Sequence, residues 1–355
     1  MAPLSFYAGK SALAKIKSEG ISPTMFSAFL GASGGPKWFV LTGLDKVIFN
    51  EFMHKSDRHV DIIGSSVGAF RSACFAQKDP AAAITRLADG YSTTVYSEKP
   101  TVKEITNKGI ELLGEMMGAK GVAEALDAHN KSIHIVVARC HGLTAFESKM
   151  KQFAGLALAA GRNAISRKKL EKSFTRAILS SREGGFQFSE KMPIKTEQGL
   201  LTHDNFLNSL MASGSIPAVI KGVENIIGLE KGMFRDGGII DYHFDMEIKT
   251  PSLVLYPHFY KTPTPGWFDK SIKSRCCHPD SYDNVLLVAP SEEFVAKLPY
   301  AKIPDRKDFA NIPAQERIDY WSRVIKESDR LAEHFLSVVE HQDPTQFIKP
   351  INLTR

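Results

Sequence analysis

Short apolar runs alternate with amphipathic stretches along the first part of the chain. The apolar runs at residues 25–30 and 60–63 predict buried strands, and a glycine-containing loop follows each of them. After the loops, at residues 38–52 and 69–77, apolar or small side chains recur at helical spacing. Strand, loop and helix repeated in this order are typical of a parallel sheet covered by helices. The pattern therefore predicts an α/β fold with a mainly parallel central sheet.

The same two patterns continue to the C-terminal part of the chain. Continuous apolar runs predict further strands at residues 133–138, 252–256 and 285–288. Helical spacing predicts a short helix at the N-terminus and longer helices near residues 80–93, 101–126, 204–212 and 314–340. No Gly/Ser-rich or Pro-rich linker divides the chain, so we expect one domain that ends in a helical tail.

Composition excludes several classes of protein. Apolar residues make up 43% and charged residues 24% of the 355 residues, which excludes disordered, coiled-coil and collagen-like chains. No apolar run approaches the ~18–20 residues of a membrane-spanning helix, and lysines interrupt the N-terminal segment where a signal peptide needs an apolar core. We therefore expect a cytoplasmic protein, while export without a signal peptide would leave the same sequence.

Cysteine usage predicts neither a disulfide framework nor a metal site. The four cysteines are too few and too irregularly spaced for a disulfide-stabilised fold, and the adjacent Cys276 and Cys277 lack the spacing of a zinc site. The sequence also has no HExxH pattern and no Rossmann GxGxxG pattern. We therefore expect a reducing compartment, no metal and no cofactor.

A strongly basic segment lies between Lys149 and Arg182. It contains nine basic residues and one acid, Glu171, on an apolar pattern that predicts a helix. A basic amphipathic helix can lie on an anionic membrane surface, and it can equally be the solvated face of a globular domain. Peripheral contact with an anionic membrane through this segment is therefore a hypothesis. No nucleic-acid recognition motif accompanies the charge, so we do not expect a nucleic-acid partner.

Residues Gly64, Ser65, Ser66, Val67 and Gly68 match the pattern G-x-S-x-G. A serine nucleophile needs a sharp turn between a strand and a helix, and the flanking glycines let the backbone close around it. A glycine turn with a chemically inert serine gives the same short pattern. Here a predicted strand precedes the pattern and a predicted helix follows it, and this context favours Ser66 as a nucleophile.

A second glycine-rich loop, at residues 33–37, lies between a predicted strand and a predicted helix. Acyl transfer needs backbone N–H groups aimed at the developing oxyanion, and glycines at a helix N-terminus can supply them. Such a loop also suits a phosphate, but a Walker A loop has Gly before its Lys and Ser or Thr after it. Pro36 and Trp38 occupy those positions, so an oxyanion loop fits better than a nucleotide site.

A candidate general base lies farther along the chain. Asp236 is followed by Gly237 and Gly238, in a glycine-flanked segment that predicts a turn over residues 232–238. A carboxylate beside flexible glycines can come within hydrogen-bond reach of Ser66 and accept its proton. An Asp-Gly pair is more commonly only a turn, so the pair carries little weight alone.

Taken in order, these three elements resemble the patatin-like phospholipase family, over about residues 25–245. The resemblance implies a three-layer α/β/α hydrolase with a mainly parallel central sheet. Its catalytic core would span residues 1–245, and a helical C-terminal extension over residues 246–355 would pack on that core. The family uses a Ser–Asp dyad without histidine, so the resemblance implies Ser66 as nucleophile and Asp236 as base.

The resemblance also assigns the residues around the dyad. It implies Gly34 and Gly35 as oxyanion donors and Lys37 as the basic position that ends the loop. The glycines flanking the dyad are Gly64, Gly68, Gly237 and Gly238. This chain departs from the family's loop at Ser33, which replaces the first glycine, and at Trp38, which replaces the last.

The activity that the resemblance implies is hydrolysis of acyl esters of phospholipids or lysophospholipids through an acyl-enzyme. An acyltransferase or thioesterase of the same fold, or a lipid-binding protein without catalysis, stays open as an alternative. A further alternative is an α/β-hydrolase with Ser, Asp and His in that order. Against it, the nucleophile comes early in the chain and no HGGG-type loop is present. Its candidate histidines are His243, His258, His278, His334 and His341.

Overall fold

The computed structural model describes residues 2–354 and alternates strands with helices. The strands are β1 (Leu4–Ala8), β2 (Phe26–Gly31), β3 (Val60–Ser65), β4 (Lys131–Cys140), β5 (Phe174–Ser180), β6 (Phe188–Ser189), β7 (Thr196–Leu200), β8 (Val223–Glu224), β9 (Met233–Asp236), β10 (Glu247–Ile248), β11 (Leu253–Pro257), β12 (Val285–Pro290) and β13 (Ile348–Pro350). The α-helices are α1 (Lys10–Glu19), α2 (Thr42–Val47), α3 (Val67–Phe75), α4 (Pro80–Thr93), α5 (Val102–Met117), α6 (Gly121–Leu126), α7 (Lys149–Ile165), α8 (Phe206–Gly214), α9 (Glu292–Val295), α10 (Asp308–Asn311), α11 (Ala314–Glu327) and α12 (Asp329–Val339).

One large sheet organises the chain. Within the described residues its strand order is β13-β1-β12-β11-β2-β3-β4-β5-β7, and β9 joins β4 while β8 joins β9. The neighbouring strands β12, β11, β2, β3 and β4 run parallel to one another. β1 is antiparallel to β12, and β5 and β9 are antiparallel to β4. The prediction of an α/β fold with a mainly parallel central sheet is confirmed.

Burial explains which of the strands the sequence predicts. β2, β3, β4, β11 and β12 are buried along nearly their whole length, and such strands read as continuous apolar runs. β1 instead alternates buried and half-buried positions over five residues. It precedes α1, so the N-terminal segment is a strand and a helix where the sequence predicted a helix alone.

Four further predicted elements differ from the structure. The predicted helix near residues 101–126 is two helices, α5 and α6, separated at residues 118–120. Residues 38–52 are not one α-helix, because a 3-10 helix (Gly35–Leu41), α2 and a π-helical turn (Ile48–Phe52) follow one another. The predicted turn over residues 232–238 contains β9, whose last three residues are buried. The predicted helix over residues 314–340 is two helices, α11 and α12, separated at Ser328.

The C-terminal part completes the sheet. β11 pairs with β2, and β12 lies between β11 and β1, so strands from residues 246–355 sit among strands from the first part of the chain. The part predicted as a helical extension packed on the core is therefore not wholly helical, because it also contributes strands to the central sheet. The sheet has no division at residue 245, because two of its inner strands follow that position.

Across residues 2–354, no helix combines the length and the hydropathy that crossing a bilayer requires.

Candidate active site

Ser66 occupies a sharp turn between β3 and α3. Its backbone has φ +57° and ψ −130°, a conformation that a residue with a side chain adopts only when its surroundings impose it. The Ser66 N–H donates a 2.9 Å hydrogen bond to the Ser213 hydroxyl, which donates to the Val136 carbonyl oxygen at 2.8 Å. These two bonds tie the turn to the middle of β4. The turn has the strand-to-helix form that a G-x-S-x-G nucleophile needs.

Close packing accounts for the glycines on either side of this turn. A Cβ atom on Gly68 would lie 1.8 Å from the carbonyl oxygen of Gly31, and one on Gly64 would lie 2.3 Å from the carbonyl oxygen of Gly68. Both distances are far shorter than a van der Waals contact, so neither position admits a larger side chain. The first turn of α3 can therefore approach the ends of β2 and β3.

The sheet register brings Asp236 to Ser66. β3 pairs with β4 as far as Ser65 opposite Val136, and β9 then continues along the same strand with Asp236 opposite Val137. The ends of β3 and β9 therefore meet at neighbouring positions of β4. The two side chains, 170 residues apart in sequence, form a hydrogen bond in which Ser66 Oγ donates to Asp236 Oδ2 at 3.0 Å.

The Asp236 carboxyl is buried and held in one orientation. Its Oδ1 accepts a 2.8 Å hydrogen bond from the Gly238 N–H, which leaves Oδ2 for Ser66. Gly237 and Gly238 begin a short 3-10 turn directly after β9. Burial raises the pKa of Asp236, and it outweighs the Gly238 hydrogen bond, the Arg306 charge and the Ser66 hydroxyl, which all lower this pKa. The higher pKa makes the carboxylate a stronger base toward the serine hydroxyl.

The glycine-rich loop after β2 reaches the same place. Ser33 anchors the loop, because its N–H donates a 3.0 Å hydrogen bond to the Tyr242 carbonyl oxygen. Gly34 lines the cavity that contains Ser66, and Gly35, with φ +56°, begins the 3-10 helix that follows. Among the described residues, the N–H groups of Gly34 and Gly35 have no acceptor, as is usual for the first turn of a helix. They are therefore free to bind an oxyanion.

One buried carboxylate, that of Asp45, joins this loop to α3, the helix that follows Ser66. Trp38 donates its indole N–H to Asp45 Oδ2 at 2.6 Å. Arg71, on α3, donates to both carboxylate oxygens of Asp45 at 2.7 and 2.8 Å, and all three side chains are fully buried. Trp38, at a position where this loop differs from the patatin-like pattern, thus has a structural role. Its bond to Asp45 ties the helix that follows the glycine-rich loop to the helix that follows Ser66.

Ser66 and Asp236 open into a cavity of about 730 Å³. The charged side chains along its walls are four cations and two carboxylates: Lys37, Lys270, Arg306, Lys307, Asp236 and Asp305. Burial lowers the pKa of Lys270, and the charges of Lys37 and Arg306 act in the same direction. Against the opposing effect of Asp236, the pKa of Lys270 comes to about 7. Burial also lowers the pKa of Lys37. This excess of cations beside the dyad makes the cavity suitable for an anionic group.

A second cavity, of about 80 Å³, also reaches Ser66. Most of its walls are apolar, including Phe70, Leu112 and Met211. The two cavities share Ser66, Ile216 and Arg306. The serine hydroxyl therefore lies where a mainly apolar space meets a cationic one.

The candidate histidines lie elsewhere. No histidine of residues 2–354 lines either cavity. His243 and His258 are buried side by side with ring centroids 4.2 Å apart, and His243 Nδ1 accepts a hydrogen bond from the Thr264 N–H. Burial lowers the pKa of His258 to about 3, so that ring is neutral. His278, His334 and His341 do not line either cavity. The geometry therefore favours the Ser66–Asp236 dyad over a triad with histidine.

The basic segment at residues 149–182 is not the single helix that the sequence predicts. Only its first part is α-helical, because a 3-10 helix (Arg167–Lys172) and the buried strand β5 follow α7. Arg167 and Arg176 point inward and form buried ion pairs with Asp269 and Asp241. The apolar residues of β5 and these two arginines therefore belong to the interior.

Sequence reasoning missed several residues of the site. Lys270 and Arg306 come from the part of the chain that carries no recognisable motif, and an isolated Lys or Arg in a loop has no local pattern. Ser213, which supports the Ser66 turn, lies in a run of small residues before Pro217. That run was the available signal for a close approach to the nucleophile.

Comparisons with known proteins do not supply a function. No protein family matches the chain, and no curated protein shows significant similarity to it. Among residues 2–354, no group of three or more His, Cys, Asp or Glu side chains is arranged to hold a metal ion. The function is therefore argued from the geometry of Ser66, Asp236 and the cavities around them.

Proposed function

We propose that this protein is a serine lipid acyl hydrolase of patatin type, with Ser66 as the nucleophile and Asp236 as the base. The observation that carries the proposal is the 3.0 Å hydrogen bond from the Ser66 hydroxyl to Asp236, made by a serine on a strained strand-to-helix turn. The order of oxyanion loop, nucleophile and base supports the patatin type. The mainly parallel sheet is compatible with the three-layer α/β/α fold that the proposal implies.

The proposed reaction has two halves. Ser66 Oγ attacks the ester carbonyl carbon while its proton passes to Asp236 Oδ2, and the N–H groups of Gly34 and Gly35 stabilise the oxyanion. The bond to the alcohol oxygen then breaks, Asp236 returns the proton to that oxygen, and the acyl group stays on Ser66. In the second half water attacks the carbonyl carbon of the acyl-enzyme while Asp236 takes a proton from the water. The bond to Ser66 Oγ then breaks, Asp236 returns the proton to that oxygen, and the fatty acid leaves.

The two cavities support a lipid ester with a phosphate in its alcohol part. The apolar walls of the smaller cavity suit the first carbons of an acyl chain, which lose contact with water there. Lys37, Lys270 and Arg306 suit a phosphate, because cationic donors form charge-assisted hydrogen bonds with phosphate oxygens. Phospholipids and lysophospholipids combine both features, so they are the proposed substrates.

Labelling with a fluorophosphonate probe, followed by assays of phospholipid hydrolysis, tests the proposal. The wild type should be labelled and active, and Ser66→Ala should lose both properties while keeping its far-UV circular dichroism. Ser65→Ala is the matched control, because its hydroxyl pairs with Ser33 at 2.8 Å and not with the base. Asp236→Asn should lose about 10²–10⁴-fold in rate, as expected when a general base is removed.

Two results would contradict the proposal. Labelling that persists in Ser66→Ala would place the reactive nucleophile at another residue. A folded wild type that is neither labelled nor active would instead favour the lipid-binding protein without catalysis.

A further inference from the structure

Helix α7 turns an apolar face toward solvent. The side that packs on the protein consists of Gln152, Gly155, Ala159 and Asn163, spaced three or four residues apart. The opposite half of the helix has no polar side chain and consists of Met150, Phe153, Ala154, Ala157, Leu158, Ala160, Gly161, Ala164 and Ile165. A helix on the surface of a globular protein ordinarily has the reverse arrangement.

The large side chains of this face are strongly exposed. Met150 is 79%, Ile165 72%, Phe153 59% and Leu158 53% exposed. A contiguous exposed apolar patch of this kind marks an interaction site more often than scattered apolar residues do. We therefore expect this patch to bind a partner that offers an apolar surface or an apolar interior.

The same face lies beside the entrance to the active site. Phe153 and Leu156 of α7 line the 730 Å³ cavity that contains Ser66 and Asp236. Trp267 lines that cavity as well and is 42% exposed. A partner seated on this face is therefore placed against the mouth of the cavity.

The lysines at both ends of α7 distinguish between two kinds of partner, a second copy of the protein and an anionic bilayer. Lys149 and Lys151 lie at the start of α7, and Lys168 and Lys169 lie just beyond its end, all four of them exposed. If α7 packed against α7 of a second copy, in either direction, lysines would face lysines, and this repulsion disfavours self-association. An anionic bilayer offers an apolar phase for the face and negative headgroups for the lysines at both ends.

We propose that the exposed face of α7, together with Trp267, docks the protein on anionic lipid bilayers with the cavity mouth toward the lipid. α7 lies in the plane of the membrane interface, and its apolar side chains reach the boundary between headgroups and acyl chains. This orientation lets a lipid ester enter the cavity without crossing water. The role of the ester as a substrate rests on the proposed hydrolase function. Docking itself does not depend on Ser66.

Flotation with vesicles tests the docking surface. The Ser66→Ala protein, which should leave the lipids intact, is mixed with vesicles of phosphatidylcholine alone or of equal parts phosphatidylcholine and phosphatidylglycerol. We expect preferential flotation with the anionic vesicles. The triple variant Met150→Gln, Leu158→Gln, Ile165→Gln should bind them at least about tenfold more weakly, because its apolar face no longer partitions into the interface. These three side chains lie outside the cavity lining.

A matched control and a second signal make the test specific. The control triple Ile110→Gln, Leu200→Gln, Ile227→Gln replaces three exposed apolar residues outside α7 and should float like the parent. Trp38 and Trp321 are fully buried, so a blue shift of tryptophan fluorescence on vesicle binding reports Trp267.

Several outcomes would overturn the docking proposal. These are equal flotation of the α7 triple variant and its parent, no preference for anionic vesicles, or a dimer in sedimentation that the triple variant converts to a monomer. The last result would make the face an interface between two copies. Hydrolysis of a water-soluble ester by the Ser66-containing protein tests the catalytic proposal separately. A protein that docks but hydrolyses nothing would remove the proposed function and leave the docking surface.

Discussion

Lys270 should give the hydrolysis of phosphate-bearing lipids a pH dependence that neutral esters lack. Its side chain lines the cavity beside Ser66, and its pKa is lowered to about 7. Below that pH the side chain is an ammonium that attracts phosphate, and above it the charge and the attraction are lost. Asp236 acts in the opposite direction, because a base must be deprotonated and burial raises its pKa above the ordinary value.

The two groups together predict different profiles for two substrates. For a lysophospholipid, kcat/KM should rise through the acidic range as Asp236 ionises and should fall above about pH 7 as the free enzyme loses the Lys270 proton. For an uncharged ester with the same acyl chain, kcat/KM should rise in the same way and then stay level. A hydrogen bond to a charged group contributes ~1.5–3 kcal/mol, so the fall should be about 10- to 100-fold.

Two variants separate charge from packing. Lys270→Met removes the charge but keeps an unbranched chain on the Tyr242 ring, over which the ammonium lies at 3.5 Å. At pH 6 it should lower kcat/KM for the lysophospholipid by about 10- to 100-fold relative to kcat/KM for the neutral ester. The comparison is relative because loss of the Lys270 charge also raises the pKa of Asp236, which affects both substrates. Lys270→Arg keeps its charge at high pH and should remove the fall.

The assay is kcat/KM for both substrates below their micellar concentrations, from about pH 5 to about pH 9. A ratio of anionic to neutral substrate that stays constant with pH in the wild type would refute the role of Lys270. A fall that survives in Lys270→Met would assign it to another group.

Three further predictions concern packing around the dyad. Asp45→Ala leaves the buried Arg71 charge unpaired and should lower the free energy of unfolding by about 3–5 kcal/mol, measured by urea denaturation. Gly68→Ala should prevent correct folding, as judged by circular dichroism and loss of probe labelling, because its Cβ would lie 1.8 Å from the Gly31 carbonyl oxygen; Gly114→Ala, with no atom within 4 Å of the new Cβ, should fold normally. Met211→Ala widens the small cavity and should shift the preferred acyl chain toward greater length in a series of neutral esters; an unchanged preference would place the acyl chain elsewhere.

The sequence predicted those parts of the fold whose local pattern reflects burial on both faces. β3 and β12 are examples, because continuous apolar runs are the direct consequence of a parallel strand covered on both sides. The sequence predicted a turn instead of β9, because two of the four residues of this strand are the charged Arg235 and Asp236. Arg235 is nevertheless buried and paired with Glu147, a contact that only the tertiary fold creates.

The residues of the candidate site likewise fall into those with a local sequence signal and those without one. Ser66 and Asp236 carried local signals, because glycines flank Ser66 in the G-x-S-x-G pattern and two glycines follow Asp236. Lys270 and Arg306 carried none, since their position beside the dyad depends on loops that the sheet brings together. The apolar pattern of α7 was visible in the sequence, but its orientation was not, because the burial of Gln152 and Asn163 instead of the large apolar side chains depends on tertiary contacts.

Because β3 and β9 meet on β4, the Ser66–Asp236 pair can form only late in the synthesis of the chain. A growing chain that has passed residue 75 already contains the glycine-rich loop, the Ser66 turn and the residues that bond Asp45 to Trp38 and Arg71. Asp236, the proposed base, is added only when residue 236 is made and β9 pairs with β4. A ribosome-bound or truncated chain therefore carries a serine without its base, and the proposed lipid hydrolysis begins only once most of the sheet has assembled.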